Sequence, residues 1–272
     1  MNIKRPIAFI LAASNHGTLI VNRNDFNVMA NGNGYGVGYQ ILATSSFDPE
    51  EVDMATALLS LRRQYFGDGV VAIDCGANIG VHTVEWAKHM YGWGSIEGFE
   101  AQERIFYALA GNVAINNCMN ATVHYAAIGA ENGQMKVPVA DPLIPASFGS
   151  LELKQGAGNE HIGQHISYSD DAMRDVRLRS IDSYCWPRVD FIKIDVEGME
   201  DDVLKGAKET IANSIPILII ETIKTDMIWV NNFLSDYGYK HYHFGINLLC
   251  IHESDPVCNH LAVIDGGFSI HA

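Results

Sequence analysis

The sequence predicts an α/β fold: a mostly parallel sheet with helices on both faces and an antiparallel hairpin at its C-terminal edge. Three observations carry this. Short apolar runs alternate with helix-patterned segments over residues 70–236, and such alternation with short connections builds a parallel sheet. The run VVAIDCGANIG, Val70 to Gly80, ends a strand in Asp74 and enters at once a turn spaced Gly76, Asn78, Gly80. The last two runs, YKHYHF and NLLCIH, are separated by a short turn at Gly245, which is hairpin spacing.

The elements follow in order. Residues 1–69 read as an N-terminal module. Lys4 and Arg5 ahead of Ile7 to Ala13 imitate a secretory signal. The apolar run is short, however, and the turn Ser14-Asn15-His16-Gly17 followed by Thr18 to Asn22 reads as a hairpin. The loop Asn31 to Gly38 holds four glycines and Tyr35; it either brings backbone close to a ligand or is a plain connector. A helix over Pro49 to Gln64 presents Val52, Ala55, Leu58, Leu59 and Leu61 on one buried face.

The core, 70–255, reads as strand 70–75, helix 79–90, strand 95–100, helix 103–116 and strand 121–127. Strand 190–195, helix 199–212, strand 216–221, helix 226–236 and strands 239–244 and 247–252 complete it. Between 135 and 182 the alternation breaks into polar loops, among them Gly156 to Glu160 and SFGSLE at 147–152. A long insertion of this kind in a compact domain reads as a lid. The tail, 256–272, shows no pattern.

Composition narrows the function. The chain has 272 residues, 48% hydrophobic and 18% charged, enough for one large α/β domain with a buried core. No apolar run is long enough to span a bilayer, so no membrane insertion is expected. A net charge of -14 argues against nucleic acid and against docking on anionic lipid. Cys75, Cys118, Cys185, Cys250 and Cys258 are scattered and form no CxxC pair; they read as reduced thiols of a cytoplasmic protein. His161 and His165 are spaced to face one way on a helix, but no third ligand is near, and no metal is assigned. His241 and His243 alternate on a strand and read as exposed or hydrogen-bonded. Trp229, Tyr237 and Tyr239 look exposed, which marks either a homo-oligomer interface or core.

Strand, glycine turn, helix, strand and terminal acid together place a nucleotide-type cofactor at the carboxyl edge of the sheet. A dinucleotide fingerprint reads G-x-G-x-x-G and meets a pyrophosphate with its amides. Here Asp74 precedes the turn and would repel a pyrophosphate, but it suits the ammonium of an amino-acid moiety. Glu100, ending the second strand, can accept from both ribose hydroxyls. A cationic amino acid joined to a ribose describes S-adenosylmethionine. A nicotinamide or flavin cofactor, and a turn without ligand, remain as alternatives. The cofactor candidates are Asp74, Gly76, Asn78, Gly80, His82 and Glu100, with Gln102 just beyond. Ala127, ending the third strand, would wall the adenine, and Tyr35 would cover the cofactor from the N-terminal loop.

A second motif, Lys193-Ile194-Asp195-Val196-Glu197-Gly198-Met199-Glu200, ends the fourth core strand and opens a helix. Asp195 points to the same crevice as Asp74 and Glu100, and Lys193 shares its face. Glu197, Glu200, Asp201 and Asp202 also read as helix-start acids.

DCGANIG, the acid-ended second strand, LAGNVAIN (Leu109 to Asn116), Ala126 to Gly129, RLRSIDSY, KIDVEGMEDDVLKGA and the closing ILIIE together resemble FkbM-type methyltransferases over about residues 65–252. One departure is Ala101 after Glu100, where many members carry proline. The resemblance implies a class I S-adenosylmethionine-dependent methyltransferase (Rossmann-like) fold. It implies methyl transfer to a hydroxyl of a sugar, glycan or natural-product-like acceptor. By position Asp195 is the base candidate, its alternative being to hold the cofactor or cap a helix. Lys193, Glu197 and Glu221 are candidates to orient the acceptor. A cation held by Asp195 and Glu197, and a non-catalytic cofactor-binding protein of the same fold, are the competing readings.

Overall fold

The computed structural model describes residues 5–29, 32–264 and 267–271. Lys4 of the signal-like start and Asn31 of the glycine loop lie outside the described residues. The expected hairpin forms from β1 (Phe9–Ser14) and β2 (Gly17–Asn22), with Phe9 opposite Asn22 and Ser14 opposite Gly17. Two short strands, β3 (Asn27–Val28) and β4 (Gly34–Tyr35), pair next, followed by α1 (Val37–Thr44) and α2 (Pro49–Phe66). The sequence reading has loop where α1 stands, because a glycine-rich start has poor helix propensity. Burial of Val37 and Ile41 overrides that propensity.

The core runs β5 (Val70–Cys75), α3 (Val81–His89), β6 (Gly94–Glu100), α4 (Glu103–Ile115), β7 (Ala121–Tyr125). Then come β8 (Ala127–Ile128), β9 (Gly133–Pro138), β10 (Met173–Arg179), β11 (Phe191–Ile194), α5 (Glu200–Lys205) and α6 (Lys208–Ser214). It closes with β12 (Ile217–Glu221), α7 (Met227–Asp236), β13 (Tyr239–Phe244) and β14 (Asn247–His252). Among the described residues seven strands form the main sheet, in the order β13-β14-β12-β11-β5-β6-β7. The five from β12 to β7 are parallel, and β14 is antiparallel to both its neighbours. The C-terminal hairpin thus forms, with its second strand inside the sheet and β13 at the rim.

Strand alternation sends successive side chains to opposite faces. Ile73, Cys75, Ile192, Ile194, Leu218 and Ile220 share one buried cluster with Val203, Leu204, Val230 and Leu234 of α5 and α7. Val70, Ala72, Phe191, Ile217 and Ile219 meet Leu58, Leu59, Val84 and Trp86 of α2 and α3 on the other face. By the same parity Asp74, Lys193 and Glu221 belong to the α2/α3 face. A third cluster joins Leu19, Val37 and Val52 of the N-terminal segment to Val81, Ile105 and Phe148. It binds that segment and the insertion onto α3 and α4.

Several expectations need correction. The third strand ends at Tyr125, and Ala127 instead opens β8 in a separate three-stranded sheet with β9 and β10. The insertion is therefore held at both ends by its own strands. Helix 199–212 is two helices, broken at Gly206-Ala207. Asp182 caps the second, accepting from Glu209 N at 3.0 Å and Thr210 N at 2.8 Å, a partner no local pattern reveals. His161 and His165 lie exposed on irregular chain, so the helical spacing argument lapses. His243 is exposed as expected, but His241 is half-buried, with Nε2 unpartnered among the described residues. The tail adds β15 (Leu261–Ile264) and β16 (Gly267–Ile270), with Phe268 edge-on to Tyr242.

Tyr239 is core rather than exposed: it is buried, and its hydroxyl donates to Pro216 O at 2.8 Å. Trp229 stacks on Phe233, and Phe233 meets Tyr237, along α7. Tyr239→Phe is expected to cost about 1–2 kcal/mol by leaving that carbonyl unpaired. A thermal melt checks it, with a midpoint about 2–4 °C lower expected.

Candidate active site

A cavity of about 720 Å³ opens beyond the carboxyl ends of β5, β6, β11 and β12. That is where open α/β sheets take ligands, and the volume is that of a small-molecule site. Its cover comes from Tyr35 and Val37 on one side and from Ser147, Leu151 and Glu160 of the insertion on the other. Asp25 ties these two sides together, accepting from Gly38 N at 2.9 Å and Phe148 N at 3.1 Å. Burial pushes its carboxyl up to about 6, against those two bonds.

The turn after β5 is rigid for reasons internal to the protein. A Cβ on Gly76 would stand 1.7 Å from Asp195 O, and one on Gly80 would stand 2.5 Å from Leu109 Cδ1. Both glycines also have φ above +80°, a region open to glycine. They let the turn pack against its neighbours. Gly76 N and Ala77 N donate to Phe99 O, Asn78 N to Glu100 Oε2, Ile79 N to Asn78 Oδ1 and Gly80 N to Ala77 O. The turn therefore offers no row of free amides to a pyrophosphate.

Glu100 is fixed by two of these amides: Oε2 accepts from Asn78 N at 3.0 Å and Oε1 from Gln102 N at 2.6 Å. Burial pushes it up to about 7, partly offset by those bonds and reinforced by Asp74. Gln102 reaches on to Phe148 O at 2.7 Å and ties β6 to the insertion.

The other end of the cavity is acidic. Lys193 is buried beside Asp74 in register and donates to Asp195 Oδ2 at 2.6 Å. Burial disfavours its charge, but Asp195, Glu51 and Asp74 outweigh burial and raise its pKa above that of an ordinary lysine. Glu197 is no helix-start acid: α5 begins at Glu200, and Glu197 stands at φ 56°, a backbone region costing about 1–2 kcal/mol outside glycine. Glu200 does serve the helix start, accepting from Val196 N and Gly198 N. Glu197 accepts from Lys224 Nζ at 2.6 Å, and that ammonium also meets Ser150 O at 2.9 Å and Glu160 at 3.2 Å. Glu221 ends β12 buried, with Oε2 unpartnered among the described residues. Asp195, Glu197 and Glu221 each bring one carboxylate oxygen within 4.8 Å of the others. Burial first, then the charge of Asp195, pushes both glutamates well above the ordinary carboxylate range.

Tyr35, Gly76, Asn78, His82, Glu100, Gln102, Ala127, Lys193, Asp195, Glu197 and Glu221 all line this one cavity. Asp74 and Gly80 stand behind its wall: Asp74 is buried and accepts from Thr83 Oγ1 at 2.6 Å. Tyr35 accepts from Asn27 Nδ2 and donates to Glu160 Oε1, which locks it to the insertion. His82 Nε2 lies 3.2 Å from Glu51 Oε1, close enough to pair but not aligned as a hydrogen bond. Burial pushes Glu51 up, yet His82, Lys193 and Asn247 hold it down at about 2. Sequence reasoning missed Lys224, Glu51 and Asp25. Only Lys224 carried a signal, its place just beyond the carboxyl end of a parallel strand.

Residues 74–241 match the family model of the methyltransferase FkbM domain. Methyltransferase 1 of Beauveria bassiana (strain ARSEF 2860) is 25% identical over 185 residues, covering 64% of this chain and 74% of its own. Methyltransferase sdnD of Sordaria araneosa is 23% identical over 188 residues, covering 61% of this chain and 72% of its own. The crystal structure of a methyltransferase FkbM from Methylobacillus flagellatus KT aligns with a TM-score of 0.49 and 20% identity over 71% of this chain. The chain spans 48% of the length of that structure.

Proposed function

Because this chain belongs to the FkbM family of methyltransferases, we propose that it methylates a hydroxyl oxygen of a sugar, glycan or other natural-product-like small molecule. It is an S-adenosylmethionine-dependent methyltransferase. The observation that carries the acceptor reading is the division of a single cavity. Glu100 stands on β6, separated by β5 from the carboxylates that follow β11, roughly 10 Å away by strand spacing.

The residues present fit the cofactor. Glu100 is anchored by two amides and keeps lone pairs for two ribose hydroxyls. Ala101, Ala127 and Leu153 give the same end apolar walls. Asn78 and His82 lie at the turn beside it, and Gly76 and Gly80 shape that turn; Asp74 supports it from behind through Thr83. Gln102 and Tyr35 hold the cover. When bound, S-adenosylmethionine supplies a methyl on a sulfonium that needs no further activation. Asp195, held by Lys193, receives the acceptor's proton. Glu197 and Glu221 orient the acceptor, and residues 135–182 close over it to exclude water. In this reading residues 1–69 cap a core of 70–255, with 256–272 as a tail. The five free cysteines suit a reducing, cytoplasmic setting, and among the described residues no helix is long and apolar enough to cross a membrane.

The test is a panel of sugars, phenols and amines incubated with the protein and S-adenosylmethionine, with products read by mass spectrometry. An O-methyl product is expected. Turnover on amines alone, or on nothing in the panel, overturns the hydroxyl reading.

The pH dependence of cofactor binding has a definite sign. Glu100 is raised to about 7 in the free protein. Its contribution to stability is thus fully present below the ordinary carboxylate pKa and is lost as pH rises through about 7. Ribose hydroxyls donate to the ionised form. Affinity for S-adenosylhomocysteine is therefore expected to climb as pH approaches 7 and level off above it. Calorimetric titration across that range checks this, and Glu100→Gln should flatten the slope.

A further inference from the structure

We propose that Asp195, Glu197 and Glu221 form a site for one divalent, oxygen-preferring metal cation at the acceptor end of the cavity. One oxygen from each residue lies within 4.8 Å of the other two. Oxygens on opposite sides of one ion stand about 4.2 Å apart across Mg²⁺ and about 4.6–5.2 Å apart across Ca²⁺, so three such atoms can share an ion. The donor set is all carboxylate, which suits Mg²⁺, Ca²⁺ or Mn²⁺ rather than a thiophilic metal.

A separate observation points to a missing partner. Glu221 is only 7% exposed, and among the described residues its buried Oε2 receives no hydrogen bond. A buried acceptor left in that state is destabilising, and more so when charged. Both lysines act on Glu221 through charge, but neither donates to it. Lys193 donates to Asp195 Oδ2 and Lys224 to Glu197 Oε2, each leaving the other oxygen of its partner free of the ammonium. Lys193 also answers to Glu51 and Asp74, and Lys224 to Glu160. Two ammoniums thus serve six acidic side chains, and neither of them donates to Glu221. A cation there would present a Lewis acid to the acceptor oxygen and ease the loss of its proton. The binding site itself stands apart from the methyl-transfer reading; only this use of it rests on that reading.

The test is calorimetric titration of the chelator-treated protein with MnCl₂, CaCl₂ and MgCl₂. Wild type, Glu221→Gln, Glu197→Gln and Asp170→Asn are compared, Asp170 being an exposed acid that pairs with Lys136 outside the cluster. Wild type and Asp170→Asn are expected to bind one ion of at least one metal saturably. Both glutamine variants should bind at least tenfold more weakly. No saturable binding by wild type up to about 10 mM, or binding that either glutamine variant keeps, overturns the site. Titration of the same samples with S-adenosylhomocysteine separates the two readings. Variants that retain it are folded, so their loss concerns the metal alone, and wild type that fails to bind it fails the cofactor assignment instead.

Discussion

Asp195→Asn is expected to lower turnover by about two to four orders of magnitude, the usual worth of a positioned base, while S-adenosylhomocysteine binds within about threefold of the parent. The reason is local. Lys193 Nζ holds Oδ2 of Asp195 at 2.6 Å, which fixes the carboxylate in one orientation. Asparagine keeps the shape but has no affinity for the acceptor's proton. The substitution also removes the charge that helps to push Glu197 and Glu221 up, so both should titrate at lower pH in the variant. The pH profile of kcat/KM therefore separates the roles. Loss of kcat with an altered acid limb supports the base. Turnover within about threefold of the parent excludes it. A large loss of S-adenosylhomocysteine affinity would instead make Asp195 a cofactor ligand.

Glu100→Ala is expected to weaken S-adenosylhomocysteine by about a hundredfold. Two hydrogen bonds to a charged acceptor are worth about 3 kcal/mol together at the low end, and about 1.4 kcal/mol is a factor of ten. The same substitution strands Asn78 N and Gln102 N, which Glu100 now accepts from, so part of the loss is a looser turn. Glu100→Gln is the necessary companion: it preserves one acceptor for the turn and removes the charge. Calorimetry on both variants decides the matter. An unchanged dissociation constant for Glu100→Ala removes the ribose assignment outright.

The carboxyl ends of β5, β6, β11 and β12 were legible because each strand is a short apolar run that stops at an acid or a glycine. In a parallel sheet all such stops fall on one edge, so Asp195, Glu100 and Glu221 could be grouped with no contact known. The hairpin of β13 and β14 was equally plain, since its turn is local. The insertion was legible only as a break in pattern. Its strands β9 and β10 pair across residues 139–172, a distance over which no periodicity connects them.

The division follows the range of the forces. Sequence by itself determined what is local or periodic: the glycine turn, the strand-end acids, the alternation that buries both sheet faces, and with them the family and its cofactor. Tertiary structure decided which partner meets each charge. It gave Asp195 to Lys193 and Glu197 to Lys224, set Glu51 under His82, and left Glu221 Oε2 with none among the described residues. It also assigned Gly76 and Gly80 to packing against Asp195 and Leu109. Electrostatic pairing and close packing depend on burial and on distances of a few ångströms between segments far apart in the chain, and only the folded chain fixes those.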